Sequence, residues 1–499
     1  MSRLTASQYR NVVRDLFGES VLVPNLEPDF AVSGLVALGA SETSISPWGV
    51  ERYEESAYSV AEQVLEPGPG REGRIGCEPS EVADEVCARA FLGRTARKAW
   101  RRPVGADEVE SLVRISLDAA RTLADFHQGL AFGVAAILQS PHLLYRVALG
   151  EPDPERSGGS RYTSVEMASR LSFFLWNSGP DETLLAEGEL GALGDPAGLR
   201  IAGERLLASP RARAGVRNFF IERLELDRLD QLSKDPTVFV HATPGFGASA
   251  KEETLRGLED LVFERDGDFR DFFTTPMTYV DRKLAALYGV RAPAHDGFGQ
   301  VTLEAEGGRR GYFGQASFLA LRAHAVSSSA TLRGKFIKET FLCRPVPPPP
   351  VNANTAIPEV SAAARTLRDR LLQHFRDPVC SSCHLEMDTI GLGFEHFDGV
   401  GRYRRTDNDA PIDASGHIDG ARFNDAWELA QVVHDHPDVP KCLVDSFYKY
   451  ATGHEPGAGE AAQIADLTAR FERSGYRVRA LLLDIVLSPG FRLVKAVIR

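Results

Sequence analysis

The 499 residues exceed what one compact core accommodates; at about 150 residues per domain, the length implies roughly three domains. Hydrophobic residues make up 43% and charged residues 25%, an ordinary globular balance that excludes wholesale disorder. The 69 Asp and Glu outnumber the 57 Lys and Arg, and the resulting formal charge of -12 speaks against nonspecific binding to a phosphate backbone.

The chain opens on Met1-Ser2-Arg3-Leu4 without an apolar stretch of secretory type, which on its own implies a cytoplasmic protein. Thr5-x-x-Gln8 has the form of a capping box, and Tyr9, Val12, Val13, Leu16 and Phe17 follow at helical spacing. Pro67-Gly68-Pro69-Gly70 closes this first helical domain, over 1–66. In a second helical domain, 77–150, Phe126, Leu130, Val134, Ile137 and Leu138 share one face of a helix entering from Asp125. Gly150 to Gly159 reads as a linker. The central helical domain, 160–292, starts with a second capping box, Thr163-x-x-Glu166, before Met167, Leu171, Phe174 and Leu175. Leu255, Leu258, Leu261 and Val262 mark a further helix there.

The Gly-, Pro- and acid-rich stretch from Ala292 to Gly308 separates the central domain from the next, 308–405. Pro345 and Pro347 to Pro350 form a stiff, polyproline-like strap, in preference to a ligand for an aromatic groove. The final helical domain, 418–499, contains a helix near Val478–Leu487 that is apolar almost all round and therefore buried. Leu130–Leu138 and Leu481–Leu487 are the richest apolar runs, and neither approaches the ~18 residues of a membrane span. Strand-like alternation is scarce and no solenoid period is present, so the fold class is mainly α and multi-domain.

One motif carries chemistry. Cys380-Ser381-Ser382-Cys383-His384 is a C-x-x-C-H sequence, the attachment signature of c-type haem. Two thiols three positions apart can each add to one haem vinyl group, and the adjacent His384 then serves as proximal ligand. Zinc is a weaker account, because neighbouring side chains rarely ligate one ion and no second Cys/His pair has finger spacing. A thioredoxin-like pair lacks its βαβ context, and an inert disulfide between the two cysteines is the remaining alternative.

The stretch His374-x-x-x-Pro378-x-Cys380-x-x-Cys383-His384-x-x-Met387-Asp388-x-x-Gly391-x-x-x-Glu395-x-Phe397-Asp398-x-x-Gly401-Arg402 resembles the haem-bearing segment of the planctomycete-type cytochrome family. These are multi-domain bacterial proteins built of domains of unknown function. The resemblance extends along the chain through Leu4-Thr5-x-x-Gln8-Tyr9, Ala99-Trp100-Arg101-Arg102-Pro103, Ala168 to Trp176, Leu332-Arg333-Gly334-Lys335, and Phe447-x-x-Tyr450-Ala451-x-Gly453. Thr389 stands where the family has Pro, and the family carries a signal peptide ahead of the motif on which this sequence almost begins.

The resemblance implies one haem c on Cys380, Cys383 and His384, and a small cytochrome-like segment near the C-terminus. For the distal iron ligand, His374 lies upstream, where the chain would fold over the other face; Met387 would serve only if the helix broke after His384. His417, His434, His436 and His454 are remote candidates whose ordinary role is hydrogen bonding. An open distal site would convert an electron carrier into a haem oxidoreductase. Glu395 and Asp398 are candidates to accept the proximal imidazole N–H, and Arg402 to pair with a propionate; helix capping and surface ion pairing are their bland alternatives.

Four carboxylates between Asp407 and Asp419 lack EF-hand order and read as a solvated loop. Ser327-Ser328-Ser329 lacks a nucleophile elbow, and Gly307-Gly308 lacks Walker spacing. Cys77, Cys87, Cys343 and Cys442 are an even set, compatible with two disulfides (Cys77 with Cys87 closing a short loop, Cys343 with Cys442 tying the strap to the C-terminal domain) or with four buried thiols. Bacterial haem-c attachment also takes place outside the cytoplasm, so both features point to the periplasm or cell surface. The expectation is an exported electron-transfer protein with an unknown redox partner. The alternatives are a peroxidase-like or dehydrogenase-subunit haem enzyme, and a cell-surface scaffold in which the C-x-x-C-H segment is structural.

Overall fold

The computed structural model describes residues 2–494 apart from 69, 155, 294, 349–356, 358, 376 and 377, and its side chains apart also from 306, 373–375 and 378–383. The protein is mainly α. It divides into two compact units, one made of 1–219, 447–463 and 482–499, the other of 220–446 and 464–481. Part of the proline strap, 349–356, lies outside the described residues.

In the first unit, the Ala6–Phe17 helix starts as its sequence demands. Thr5 Oγ1 accepts from the Gln8 N–H, and Gln8 Oε1 accepts from the Thr5 N–H. Tyr9, Val12 and Val13 then face a core shared with the Pro47–Leu65, Glu85–Trp100, Ala106–Leu123 and Phe126–Leu138 helices. Gly129 and Gly133 let the last two helices touch: a Cβ at Gly129 would sit 2.5 Å from Ser116 O, and one at Gly133 2.2 Å from Ser116 Oγ. The Ser164–Trp176 helix opens with the Thr163/Glu166 capping box. Phe219 stacks on Phe447 at 3.6 Å, and Phe174 meets Phe491 at 5.6 Å, fastening C-terminal segments into this unit.

The core of the second unit is aromatic. Phe272 stacks on Tyr312 at 4.9 Å, Phe273 meets Phe341 edge-on at 5.0 Å, and Phe318 meets Phe394 at 5.1 Å. Beside it, the fully buried Glu253 accepts hydrogen bonds from Thr278 Oγ1 at 2.7 Å and Tyr288 OH at 2.6 Å. The Tyr288 oxygen in turn accepts from the Ala316 N–H.

Strands are short, but they sit where the sequence reads as spacer. Gly299–Thr302, inside the Ala292–Gly308 stretch, pairs antiparallel with Met277–Val280. Ser160–Arg161 pairs with Glu151–Pro152 and with Leu493–Val494, so the Gly150–Gly159 segment is part of a small sheet. Alternation over two to four residues is too short to register as a pattern. Among the described residues no helix is long and apolar enough to cross a membrane.

Two disulfides form, Cys77–Cys87 and Cys343–Cys442, each within one unit. Their sequence separations are 10 and 99 residues. If they act by restricting the unfolded chain, the long bridge is worth about 5 kcal/mol and the short one about 3 kcal/mol. Calorimetric melting is expected to show a larger loss for Cys343→Ala/Cys442→Ala than for Cys77→Ala/Cys87→Ala.

Burial pushes the Glu253 carboxyl up to about 7, with the Tyr288 and Thr278 hydrogen bonds only partly opposing it. A carboxyl raised on folding adds stability that is complete below the unfolded value, roughly 4.3, and is lost as pH rises through the folded value. Glu253→Gln is therefore expected to flatten the fall in melting temperature between about pH 4 and 7.

Candidate functional site

The C-x-x-C-H motif lies on one helix, Pro378–Gly391, in the second unit. Proline at the first position suits a helix start, because its missing N–H has no helical partner there. The helix is continuous to Gly391 and leads into a tight turn over Leu392–Phe394. Two glycines seat it against the Ala330–Thr340 helix. A Cβ on Gly334 would lie 1.8 Å from Met387 O, and one on Gly391 would lie 1.7 Å from Ala330 O. On another side Gly416, in the Gly416–Ile418 strand of a hairpin with Ala421–Phe423, approaches Thr389 O so closely that a Cβ would sit at 2.2 Å.

His384 is the described side chain of the motif. Its Nδ1 lies 2.9 Å from Asp388 Oδ2, one helical turn on. The imidazole is partly exposed at 25%, whereas Asp388 is fully buried. Among the described residues Asp388 Oδ1 has no hydrogen-bond partner, and His384 is the side chain that this buried carboxyl meets. That hydrogen bond raises the imidazole above its ordinary value, against a smaller opposing effect of burial. A carboxylate on Nδ1 holds the ring orientation and makes Nε2 a stronger donor to a metal. Leu385 beside it leaves an apolar side chain 46% exposed.

The side chains of Cys380, Cys383 and His374 lie outside the described residues. Met387 is buried and stands three positions beyond His384 on the same unbroken helix. While that helix is continuous, the two side chains cannot reach opposite faces of one ring.

Glu395 and Asp398 are held by other partners. Glu395 Oε2 accepts from Ser328 Oγ at 2.9 Å and Arg404 Nη2 at 2.7 Å. Asp398 Oδ1 accepts the backbone N–H groups of Val400, Gly401 and Arg402, closing a turn. Arg402 is exposed. The carboxylate that meets the imidazole is Asp388, which sequence reasoning passed over although the i, i+4 spacing from His384 was readable.

His434, His436 and His454 bond to Asp435, Asp419 and Glu460, and His417 is exposed on a hairpin strand. The acidic loop is tied to arginines: Asp407 to Arg404, Asp413 to Arg368, Asp419 to Arg344. Among the described residues, no group of three or more His, Cys, Asp or Glu is placed to hold a metal ion.

Five family models match the chain in succession, each described as a protein of unknown function: DUF1587 over 2–66, DUF1595 over 87–147, DUF1592 over 162–290, DUF1588 over 309–407 and DUF1585 over 419–491. These are the domains of unknown function of the planctomycete cytochrome type. The motif helix falls within the DUF1588 match. No curated protein and no solved structure matches the chain.

The helix contact at Gly334 and Gly391 is backbone on backbone, where an added methyl has no flexible side chain to displace. Gly334→Ala and Gly391→Ala are each expected to cost about 3 kcal/mol in denaturant unfolding. Ala at the exposed Gly73 on the Arg71–Ile75 helix, with nothing within 4 Å of its Cβ, is the control, expected to be unchanged or slightly stabilised.

Proposed function

We propose that the chain is an exported c-type haem protein in electron transfer, with one haem attached through Cys380 and Cys383 and His384 as the proximal ligand. The observation that carries this reading is the fully buried Asp388 carboxylate on Nδ1 of the motif's own histidine. The residues present fit the group: a buried acid dedicated to one imidazole is the usual support of a metal-ligating histidine. When bound, haem c supplies a one-electron iron couple.

The chain's own residues do the rest. Cys380 and Cys383 supply the thiols for the thioether bonds. Asp388 holds the His384 ring and its tautomer, and the Gly334 and Gly391 contacts keep the helix at a set height on its neighbour. His374 would be the candidate for a second ligand to the iron. The two disulfides support a location outside the cytoplasm, where oxidised pairs persist. A redox partner protein is implied, and its identity is open.

Asp388 also favours a second reading. A negatively charged partner makes the proximal imidazole a stronger donor, a property more useful to a haem oxidoreductase with an open distal side than to a high-potential carrier. A six-coordinate low-spin spectrum supports the carrier, and a high-spin spectrum supports the enzyme.

The full chain, expressed behind an exporting signal in a host with haem-c maturation, is expected to give the pyridine haemochrome band of thioether-linked haem. Cys380→Ala/Cys383→Ala is expected to lose it. A colourless protein from that host would overturn the reading and leave the scaffold alternative. Asp388→Asn is expected to keep the haem and raise its reduction potential, read by spectroelectrochemical titration, because the amide donates less electron density through the ring.

A further inference from the structure

The first unit contains a cavity of about 260 Å³ whose walls come from widely separated segments, among them Ser2, Arg146, Tyr162, Ser169, Arg170 and Thr452. Backbone pairing brings the first two together, because Ser2 is the strand partner of Arg146. The segments belong to four of the five matched domains, so the cavity is a property of the assembled unit.

Its chemistry is unbalanced. Arg146 donates one hydrogen bond, from Nη2 to Ser2 Oγ at 3.1 Å, and its guanidinium lies 5.4 Å from the centre of the Phe173 ring. Among the described residues its Nε is buried without a partner. Arg170 donates from Nε to Phe491 O at 3.2 Å and is sandwiched between the rings of Tyr162 at 4.1 Å and Phe491 at 4.8 Å. The Ser169 hydroxyl is likewise buried with no partner among the described residues.

Among the described residues, neither guanidinium has a carboxylate within ion-pair distance, although Arg97, Arg102 and Arg161 of the same unit all do. The carboxylate on the cavity wall is Glu166, and it is occupied by the backbone N–H groups of Thr163, Leu149 and Gly150. Its charge moderates the field at Arg170 without bonding to it.

Two neighbouring guanidiniums repel one another, and burial lowers both below their ordinary value. Arg146 comes down to about 10, still protonated at neutral pH. A chain of net charge -12 has acids to spare for two arginines, so leaving them uncompensated is a cost that a bound anion would remove.

We propose that this cavity is a binding site for a small oxyanion, a sulfate, phosphate or carboxylate group, gripped by Arg146 and Arg170 with the Ser169 hydroxyl as a further donor. Guanidinium N–H groups match such oxygens in charge and geometry. A cavity of about 260 Å³ has room for the anionic group and further atoms of a small molecule. This inference stands apart from the haem reading, since the cavity and the motif helix belong to different units.

Calorimetric titration of the full chain with sodium sulfate, phosphate and acetate, at constant ionic strength with chloride as reference, tests it. At least one of the three is expected to bind saturably and raise the melting temperature, and which one does identifies the anion class. Arg146→Gln and Arg170→Gln are each expected to weaken binding about tenfold or more, the loss of one charge-assisted contact. Arg170→Lys is expected to retain part of it.

Because Arg170 also bonds Phe491 O, a second variant guards against a folding defect. Ser169→Asp places a carboxylate in the cavity wall, and is expected to abolish titration while raising the melting temperature of the anion-free protein. Absence of saturable binding to all three anions overturns the proposal. So does undiminished binding in folded Arg146→Gln and Arg170→Gln.

Discussion

The second unit depends on one buried cation. Arg333, fully excluded from solvent on the Ala330–Thr340 helix, donates to the carbonyl oxygens of Leu319, Phe394, Phe397 and Asp398 at 2.7–3.3 Å. Glu395 lies 3.7 Å away and is itself bonded to Ser328 and Arg404. A guanidinium suits this position because its planar fork reaches several oxygens at once, and burial lowers it only to about 10, so it stays charged. The turn that follows the motif helix is thereby anchored to the helix on which the motif helix lies. Gly334, the next residue, makes the close contact with Met387 O. Removing the arginine would leave four carbonyls and a carboxylate buried with fewer partners, the kind of loss that costs several times the net value of the bonds themselves.

This explains why Leu332-Arg333-Gly334-Lys335 is recognisable in the sequence although it carries no chemistry of its own. Arg333 collects the turn after the motif, and Gly334 admits the motif helix. Local signals of this kind were legible: the Thr5 and Thr163 capping boxes, the Asp125 helix start and the apolar Val478–Leu487 helix all stand where the sequence places them. Each is decided within one or two turns of chain. The disulfides were legible as well: Cys77 and Cys87 flank a short acidic segment, which leaves Cys343 and Cys442 for each other, and these are the two bridges that form.

What the sequence did not show is whatever depends on distant segments. Glu395 stands downstream of the motif in the stretch that resembles a haem-bearing segment, but Arg404 and Ser328 claim it. Gly299–Thr302 reads as spacer because its four residues form a strand only against Met277–Val280. Arg146 and Arg170 look like two ordinary arginines of a protein rich in them, and become a pair only through the Ser2–Arg146 strand contact and the packing of the Ser164–Trp176 helix. Asp388 is the exception. Its i, i+4 spacing from His384 is local and readable on a helix, without any contact from a distant segment.

Arg333 and the Arg146–Arg170 pair are the same side chain under opposite conditions. Arg333 is surrounded by acceptors that the fold itself supplies, so its charge is spent on holding backbone. Arg146 and Arg170 have one acceptor each, along with aromatic faces that stabilise a cation weakly compared with a carboxylate. Phe173, Tyr162 and Phe491 hold these two guanidiniums in place without neutralising them. Held in that way, the groups are preorganised for an anion, since little side-chain entropy is left to lose when one arrives. The His384–Asp388 pair follows the same logic with the sign reversed: a buried carboxylate with one unpartnered oxygen makes sense beside a group that gains positive charge. At the arginine pair the fold leaves, among the described residues, positive charge with no carboxylate in ion-pair distance, and such a deficit is a physical reason to look for an anion there.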